Sequence, residues 1–178
     1  MRSFLLLVAS LFFDKKHLSG RWFFEKKSGF KWIVQSIWCR NFLRLGRVYP
    51  FPVHLNCYIS NPDNVIFHPD DLNNFQSRGT YFQCLEGKIY LGRGSYIAPN
   101  VGLITQNHIS GFPDKHHEAQ DIKIGDRCWI GMNSIILPGV VLGSQTTVAA
   151  GSVVTKSFTE GRVVLAGNPA RIVKYLEF

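Results

Sequence analysis

From Leu91 onward the chain places an aliphatic residue at every sixth position. Leu91, Ile97 and Leu103 form one run; Ile124, Ile130, Ile136, Leu142, Val148 and Val154 form a second. The following residue is usually Gly or Ala (Gly92, Ala98, Gly125, Gly131, Gly143, Ala149). The residue four places on is compact (Ser95, Val101, Cys128, Ser134, Val140, Thr146, Ser152). A helix repeats near 3.6 residues and a strand at 2, so a period of six suits neither alone. It suits a coil of short flat strands and tight corners, in which each aliphatic enters a narrow core and each small residue tolerates the corner. The expected fold is mainly β, a parallel β-helix.

At 178 residues and 46% hydrophobic content, the chain has material for one domain with a short appendage. Its four cysteines, Cys39, Cys57, Cys84 and Cys128, form no CxxC pair. Reduced thiols, a cytosolic setting and no metal site are therefore expected, with Cys128 acting as an apolar filler at its inward position. The charge is uneven. Residues 1–50 hold ten Lys/Arg against two acids, giving +8, whereas residues 51–178 hold ten against ten. Such asymmetry points to a partner surface.

Three segments follow from this reading: a basic amphipathic region over 1–50, the coil over 51–166, and a C-terminal turn with a short helix over 167–178. The apolar run Phe4 to Phe13 is too short to span a bilayer, and Asp14-Lys15-Lys16 follows it instead of a cleavage site. Residues 29–46 repeat at helical spacing, with Phe30, Ile33, Val34, Ile37, Trp38, Phe42 and Leu45 on one face and Lys31, Gln35, Arg40 and Arg44 elsewhere. A basic amphipathic helix of this kind either lies in a membrane interface or packs on the end of the coil with its cations solvated. Val53, Ile59 and Val65 begin the hexads, and Leu85 regains the phase after a slip. Two excursions should therefore leave the coil, over about 67–80 and 106–121. The second carries His108, His116, His117 and Glu118, on a loop of the kind that concentrates chemistry. After Gly167-Asn168-Pro169, a turn, the basic tail is expected to form the short helix.

The segment Ile97-Ala-Pro-Asn-Val101, the His-bearing loop and Ile124-Gly-Asp-Arg-Cys-Trp-Ile-Gly131 together resemble the hexapeptide acyltransferases. The likeness continues through Ile136-Leu-Pro-Gly139, Ala150-Gly-Ser-Val-Val-Thr-Lys156 and Gly167-Asn-Pro-Ala170, over about residues 80–175. It is strongest to the sugar O-acetyltransferases, both the maltose and galactoside enzymes and those of capsule and exopolysaccharide synthesis. The resemblance implies a left-handed coil, a homotrimer, and acetyl-CoA in a groove between subunits. Spacing alone gives only a coil.

Acyl transfer to a hydroxyl needs a base, donors for the oxyanion and a groove for coenzyme A. His108 lies eleven residues after Ile97, where the family's catalytic histidine follows its Ile-Ala-Pro-Asn segment, and is the candidate base. His116 and His117 are fallbacks and candidate acceptor-binding residues, with Asn73 and Asn74 of the first excursion. Glu86 aligns with an acidic position near the acceptor in related enzymes, and Glu118 competes as the orienting partner. The resemblance places the oxyanion amide at Gly131-Met132. It carries coenzyme A binding onto Trp129, Gly131, Ala150, Thr155, Lys156, Arg171 and Lys174, the last three residues of which are cations suited to phosphates.

The resemblance implies acetyl transfer from acetyl-CoA to a sugar hydroxyl in capsule, O-antigen or exopolysaccharide synthesis, on an acceptor that lipid linkage would hold at the cytoplasmic face of the inner membrane. Residues 1–46 are the candidate membrane contact. N-acetylation of an amino sugar or another small acceptor is the alternative within enzymes. A non-catalytic trimeric scaffold is the alternative outside them. No nucleotide-binding glycine loop appears, and the aromatics of the basic arm sit on an amphipathic face instead of interleaving as stacking platforms, which argues against nucleic acid.

Overall fold

The computed structural model describes residues 2–177; the outermost positions of the two terminal segments, 1 and 178, lie outside the described residues. Three stacks of short strands, parallel except for β16, enclose the core. The first holds β1 (Tyr58–Ile59), β3 (Tyr81–Gln83), β6 (Gly102–Ile104), β11 (Ile135–Ile136) and β14 (Val153–Val154). The second holds β2 (Val65–Ile66), β4 (Ile89–Leu91), β9 (Ile122–Ile124) and β12 (Val141–Leu142). The third holds β5 (Tyr96–Ile97), β10 (Trp129–Ile130), β13 (Thr147–Val148), β15 (Val163–Gly167) and β16 (Ala170–Tyr175). A hairpin of β7 (His108–Ile109) and β8 (Phe112–His116) stands outside all three.

The register explains the period of six. Ile97, Ile130, Val148 and Leu165 stack in one column, and Ile59, Phe82, Leu103, Ile136 and Val154 in another. All of these side chains are buried. Each turn of the coil returns the chain one strand spacing higher, about 4.8 Å. That spacing also explains the glycine after the aliphatic. A Cβ on Gly92 would lie 2.3 Å from the Gly125 carbonyl carbon, one on Gly125 2.5 Å from the Ser144 nitrogen, and one on Gly143 2.4 Å from the Gly161 nitrogen. Close stacking of corners excludes the side chain there. The compact residues hold the corners by hydrogen bonds: the Ser95 hydroxyl donates to Gly125 O at 2.7 Å, Thr146 to Gly143 O at 2.6 Å, and Ser134 to Ala149 O at 3.0 Å. Leu85 departs from the expected phase. It is exposed, and its neighbour Cys84 is buried instead.

The first excursion replaces a strand. The 3-10 segment Pro69–Gln76 lies beside β5, where the first rung would have placed a strand of the third sheet. Asn74 supplies the missing ladder. Its Nδ2 donates to Ser95 O and its Oδ1 accepts from Ile97 N, both at 2.9 Å, so its side chain mimics a paired peptide. Asp71 accepts the Gly94 amide at 3.0 Å from the same edge.

Residues 2–50 form a helical cap under the first rung: α1 (Arg2–Ala9), α2 (Arg21–Phe24), α3 (Ser28–Ser36) and a π-helical continuation, Ile37–Phe42. Ala9, Phe13, Leu18, Phe23 and Ile33 join the coil's core through Phe51, Val53 and Phe75. The cap therefore packs on the coil. One cation expected to be solvated is not. Arg40 is buried, with its guanidinium donating to the carbonyls of Arg47, Val53, His54, Leu55 and Cys57 at 2.6–3.3 Å, and stacked over Tyr49. Trp22 and Arg21 tie α2 to Asp70 of the excursion.

The tail is a strand, not the expected helix. After the turn, β16 runs back antiparallel to β15, with Gly167 paired to Ala170 and Ala166 to Arg171. The open edge of β15 offers hydrogen bonds that an isolated short helix would lack, and Ile172-Val173-Lys174-Tyr175 favours an extended chain.

Candidate active site

The second excursion leaves the coil after β6 and returns at β9, at the corner between the first and second sheets. Its base is closed twice. His117 N donates to Asn107 O at 2.9 Å, and the Gln106 side-chain amide bridges His117 O at 3.0 Å and Glu86 Oε2 at 3.1 Å. Glu86 thus anchors the hairpin through Gln106.

His108 is exposed on β7, opposite His116, with the two rings 4.2 Å apart. Its Nδ1 lies 2.7 Å from the Pro113 carbonyl. A carbonyl only accepts, so Nδ1 carries the hydrogen and the lone pair of the neutral ring resides on Nε2. That is the tautomer a base at Nε2 requires. The orienting partner is a backbone oxygen across the hairpin, presented by the Gly111 turn (φ +82°), and neither Glu86 nor Glu118 makes this contact among the described residues.

Beside the hairpin lies a cleft of about 240 Å³, lined by Asn107, His117, Glu118, Gln120, Leu137, Pro138 and Thr155. It gathers Thr155, expected to bind coenzyme A, with His117. Lys156 follows on the same corner, exposed, its ammonium 5.5 Å from the centre of the Phe158 ring.

The remaining candidates sit elsewhere. Trp129, Gly131, Met132 and Ala150 occupy the strand and corner between the third and first sheets. Gly131 is hemmed in, since a Cβ there would lie 2.6 Å from Ala150 N. Its own amide is committed to Val148 O at 2.8 Å, which leaves the Met132 amide as the donor of that pair without an intrachain acceptor among the described residues. Met132, Trp129 and Ala150 are exposed. Met132 and Asn133 form a turn closed by Ser134 N donating to Gly131 O at 3.3 Å, and β11 separates that corner from Leu137 of the cleft. Arg171 and Lys174 are exposed on β16, at the last rung.

The first excursion contributes less than expected. Asn74 is fully buried and both ends of its amide are taken by the backbone, so it does not meet an acceptor sugar. Asn73 is half-buried, and its Oδ1 is buried without a hydrogen-bond partner among the described residues. Sequence reasoning did not anticipate Gln106 or the Pro113 carbonyl; the Gly-Phe-Pro of the hairpin turn was the available signal for the second. No group of three or more potential metal ligands occurs among the described residues.

A family model described as bacterial transferase hexapeptide (six repeats) matches residues 121–156. A putative lipopolysaccharide biosynthesis O-acetyl transferase of Escherichia coli, WbbJ, is 31% identical over 170 residues, covering 76% of this chain and 82% of the relative. The galactoside O-acetyltransferase of E. coli is 37% identical over 94 residues, covering 48% of this chain and 43% of the relative, so the chain spans under half the length of some curated relatives it matches. A hexapeptide-repeat acetyltransferase of Vibrio cholerae, solved with acetyl-CoA, superposes with a TM-score of 0.52 at 28% identity over 57% of this chain and 56% of that one. A six-residue coil, a histidine hairpin at its corner and an extended match along most of one relative make this chain a member of the hexapeptide-repeat acetyltransferase family.

Proposed function

We propose that this protein transfers an acetyl group from acetyl-CoA to a sugar hydroxyl during synthesis of a bacterial surface glycan, acting as a homotrimer of left-handed coils. Its similarity to relatives described as a galactoside O-acetyltransferase and a lipopolysaccharide biosynthesis O-acetyl transferase supports the substrate class. The observation that carries the chemistry is the bond from His108 Nδ1 to Pro113 O, which leaves Nε2 free to accept a proton.

In the proposed step Nε2 of His108 takes the proton of the acceptor hydroxyl as its oxygen attacks the thioester carbonyl. The Met132 amide donates to the resulting oxyanion. Collapse breaks the carbon–sulfur bond, and the imidazolium returns its proton to the coenzyme A thiolate, leaving an acetyl ester and a free thiol. Within one chain the Met132 corner and the corner that carries the histidine hairpin stand at opposite ends of β11. The site therefore forms where the histidine corner of one subunit faces the Met132 corner of the next. Small Ala150 admits the pantetheine arm, and Thr155, Lys156, Arg171 and Lys174 bind the nucleotide end.

The test is release of coenzyme A thiol from acetyl-CoA in the presence of a panel of sugars, with mass spectrometry of the products. His108→Ala should lower kcat by about 100-fold or more while the KM for acetyl-CoA holds. Acetylation of amino sugars at nitrogen, with no ester formed on any sugar, would replace this reading.

A further inference from the structure

The cap buries one apolar face and exposes another. Phe4, Leu7 and Leu11 of the first helix and its extension are 65%, 65% and 80% exposed, and Val34, Trp38 and Phe42 are 62%, 54% and 69% exposed. The second group forms one surface with another part of α1, while Leu7 lines a separate hollow with Leu6, Ser10, Lys15 and Leu18. Leu5 and Val8 of α1 line a groove of about 270 Å³ together with Val34, Trp38 and Phe42, and an adjoining groove of about 580 Å³ continues over Phe30, Lys31 and Trp38. Isolated exposed apolar residues are ordinary on a soluble protein, but a continuous patch on two helices marks a contact surface.

The charge around it selects the occupant. Lys15, Lys16, Lys26, Lys27, Lys31, Arg44 and Arg47 are exposed on the same fifty residues, while residues 51–178 are formally neutral. A second copy placed symmetrically on this face would bring like charges together, whereas an anionic bilayer supplies the opposite sign and an apolar interior. No helix of the described residues is long and apolar enough to cross a membrane, so the fitting geometry is a cap lying in the interface.

We propose that the exposed face of α1, α3 and the π-helical turn docks the protein on an anionic lipid bilayer, with Trp38 and Phe42 entering the acyl boundary and the flanking lysines and arginines meeting phosphate headgroups. The coil then stands away from the surface. The histidine hairpin leaves two rungs above β1, about 10 Å up the coil axis. That height holds the candidate active site near headgroup-linked material without burying it. Docking is independent of the acetyl-transfer reading.

The test uses the full chain with phosphatidylglycerol-containing vesicles and pure phosphatidylcholine vesicles, in low and high salt. Flotation should recover the protein with the anionic vesicles in low salt, far less in high salt, and not with the neutral ones. Double substitution Trp38→Ser/Phe42→Ser should weaken binding at least tenfold, as should Lys26→Glu/Lys27→Glu/Lys31→Glu, with melting and thiol release on a soluble sugar unchanged because these side chains are exposed. Trp38 fluorescence should be quenched by brominated lipid tails in the unsubstituted protein. Equal recovery with both vesicle types, or none with either at low salt, would overturn the proposal. So would dissociation of an oligomer by Trp38→Ser/Phe42→Ser in a protein that ignores vesicles, since the face would then be a contact between copies.

Discussion

In the coil, each inward position is repeated rung upon rung, so Ile97, Ile130, Val148 and Leu165 share one environment, and the cations and acids of residues 51–178 balance to no net formal charge. In the cap, no position repeats. Ile33 is buried, Val34 beside it is exposed, and Arg40 is buried among carbonyls while Arg44 is exposed. The coil is held by many small equivalent contacts. The cap is held by a few irreplaceable ones, and it keeps apolar and cationic surface free. A repeated scaffold supports the hairpin that carries His108; an irregular cap leaves an apolar and cationic face exposed.

The largest effect is expected at a single inward aliphatic of the coil. Ile136→Asp buries an unpaired carboxylate between Leu103 and Val154, and we expect loss of soluble, cooperatively melting protein at a cost of several kcal/mol. A variant that still melted near the unsubstituted temperature would contradict the hexad packing.

A smaller effect is expected from the cap's keystone. Arg40→Met leaves five carbonyls without their donor, costing on the order of 3 kcal/mol or more. Hydrogen exchange should quicken in residues 2–50 and stay slow at Ile130, Ile136 and Val148. Equal acceleration in both would make cap and coil a single cooperative unit.

Acid should also act on the cap. His17 is buried, stacked on Phe67 with ring centres 4.8 Å apart, and burial, reinforced by Lys16, lowers its pKa to about 4. Unfolded, the imidazole binds a proton near pH 6.5; folded, it does so only near 4. Stability is therefore fully present above pH 6.5 and is lost as pH falls toward 4, by on the order of 3 kcal/mol. Urea denaturation across this window should show the slope, and His17→Phe should flatten it. An unchanged slope would assign the titration to other groups.

The smallest effect sharpens the reading of the first excursion. Asn74→Ala removes two buried hydrogen bonds and should cost about 1–3 kcal/mol, with the KM for the acceptor sugar unaltered. A raised KM at unchanged melting temperature would return Asn74 to the acceptor site.

The coil was readable because its period is local: each aliphatic announces the next six residues later, and the stacking that excludes a side chain at Gly92, Gly125 and Gly143 leaves its mark in the same register. Asn74 was not, because an asparagine in a polar excursion reads as a solvent-facing donor until Ser95 and Ile97 are brought against it. Arg40 failed for the same reason, since its acceptors are carbonyls, which leave no trace in side-chain identity. The tail's turn was legible, but whether the chain after it coils or pairs depends on the free edge of β15. At the candidate site, His108 and Thr155 were named from the sequence, while the oxygen that sets the histidine tautomer belongs to the backbone of Pro113.

The proposed active site is assembled from two corners of two subunits. Met132 precedes Asn133, whose φ is +61°, so it holds the turn position that proline favours, and Met132→Pro should delete the amide while keeping the corner. His108→Ala and Met132→Pro should each be nearly inactive alone. Co-expressed in equal amounts, they should form mixed trimers in which an intact histidine faces an intact amide at one interface, restoring about a quarter of the unsubstituted rate in a cyclic trimer assembled at random. No recovery in mixed trimers verified by mass spectrometry would mean that both groups act within one chain, and the shared site would be wrong.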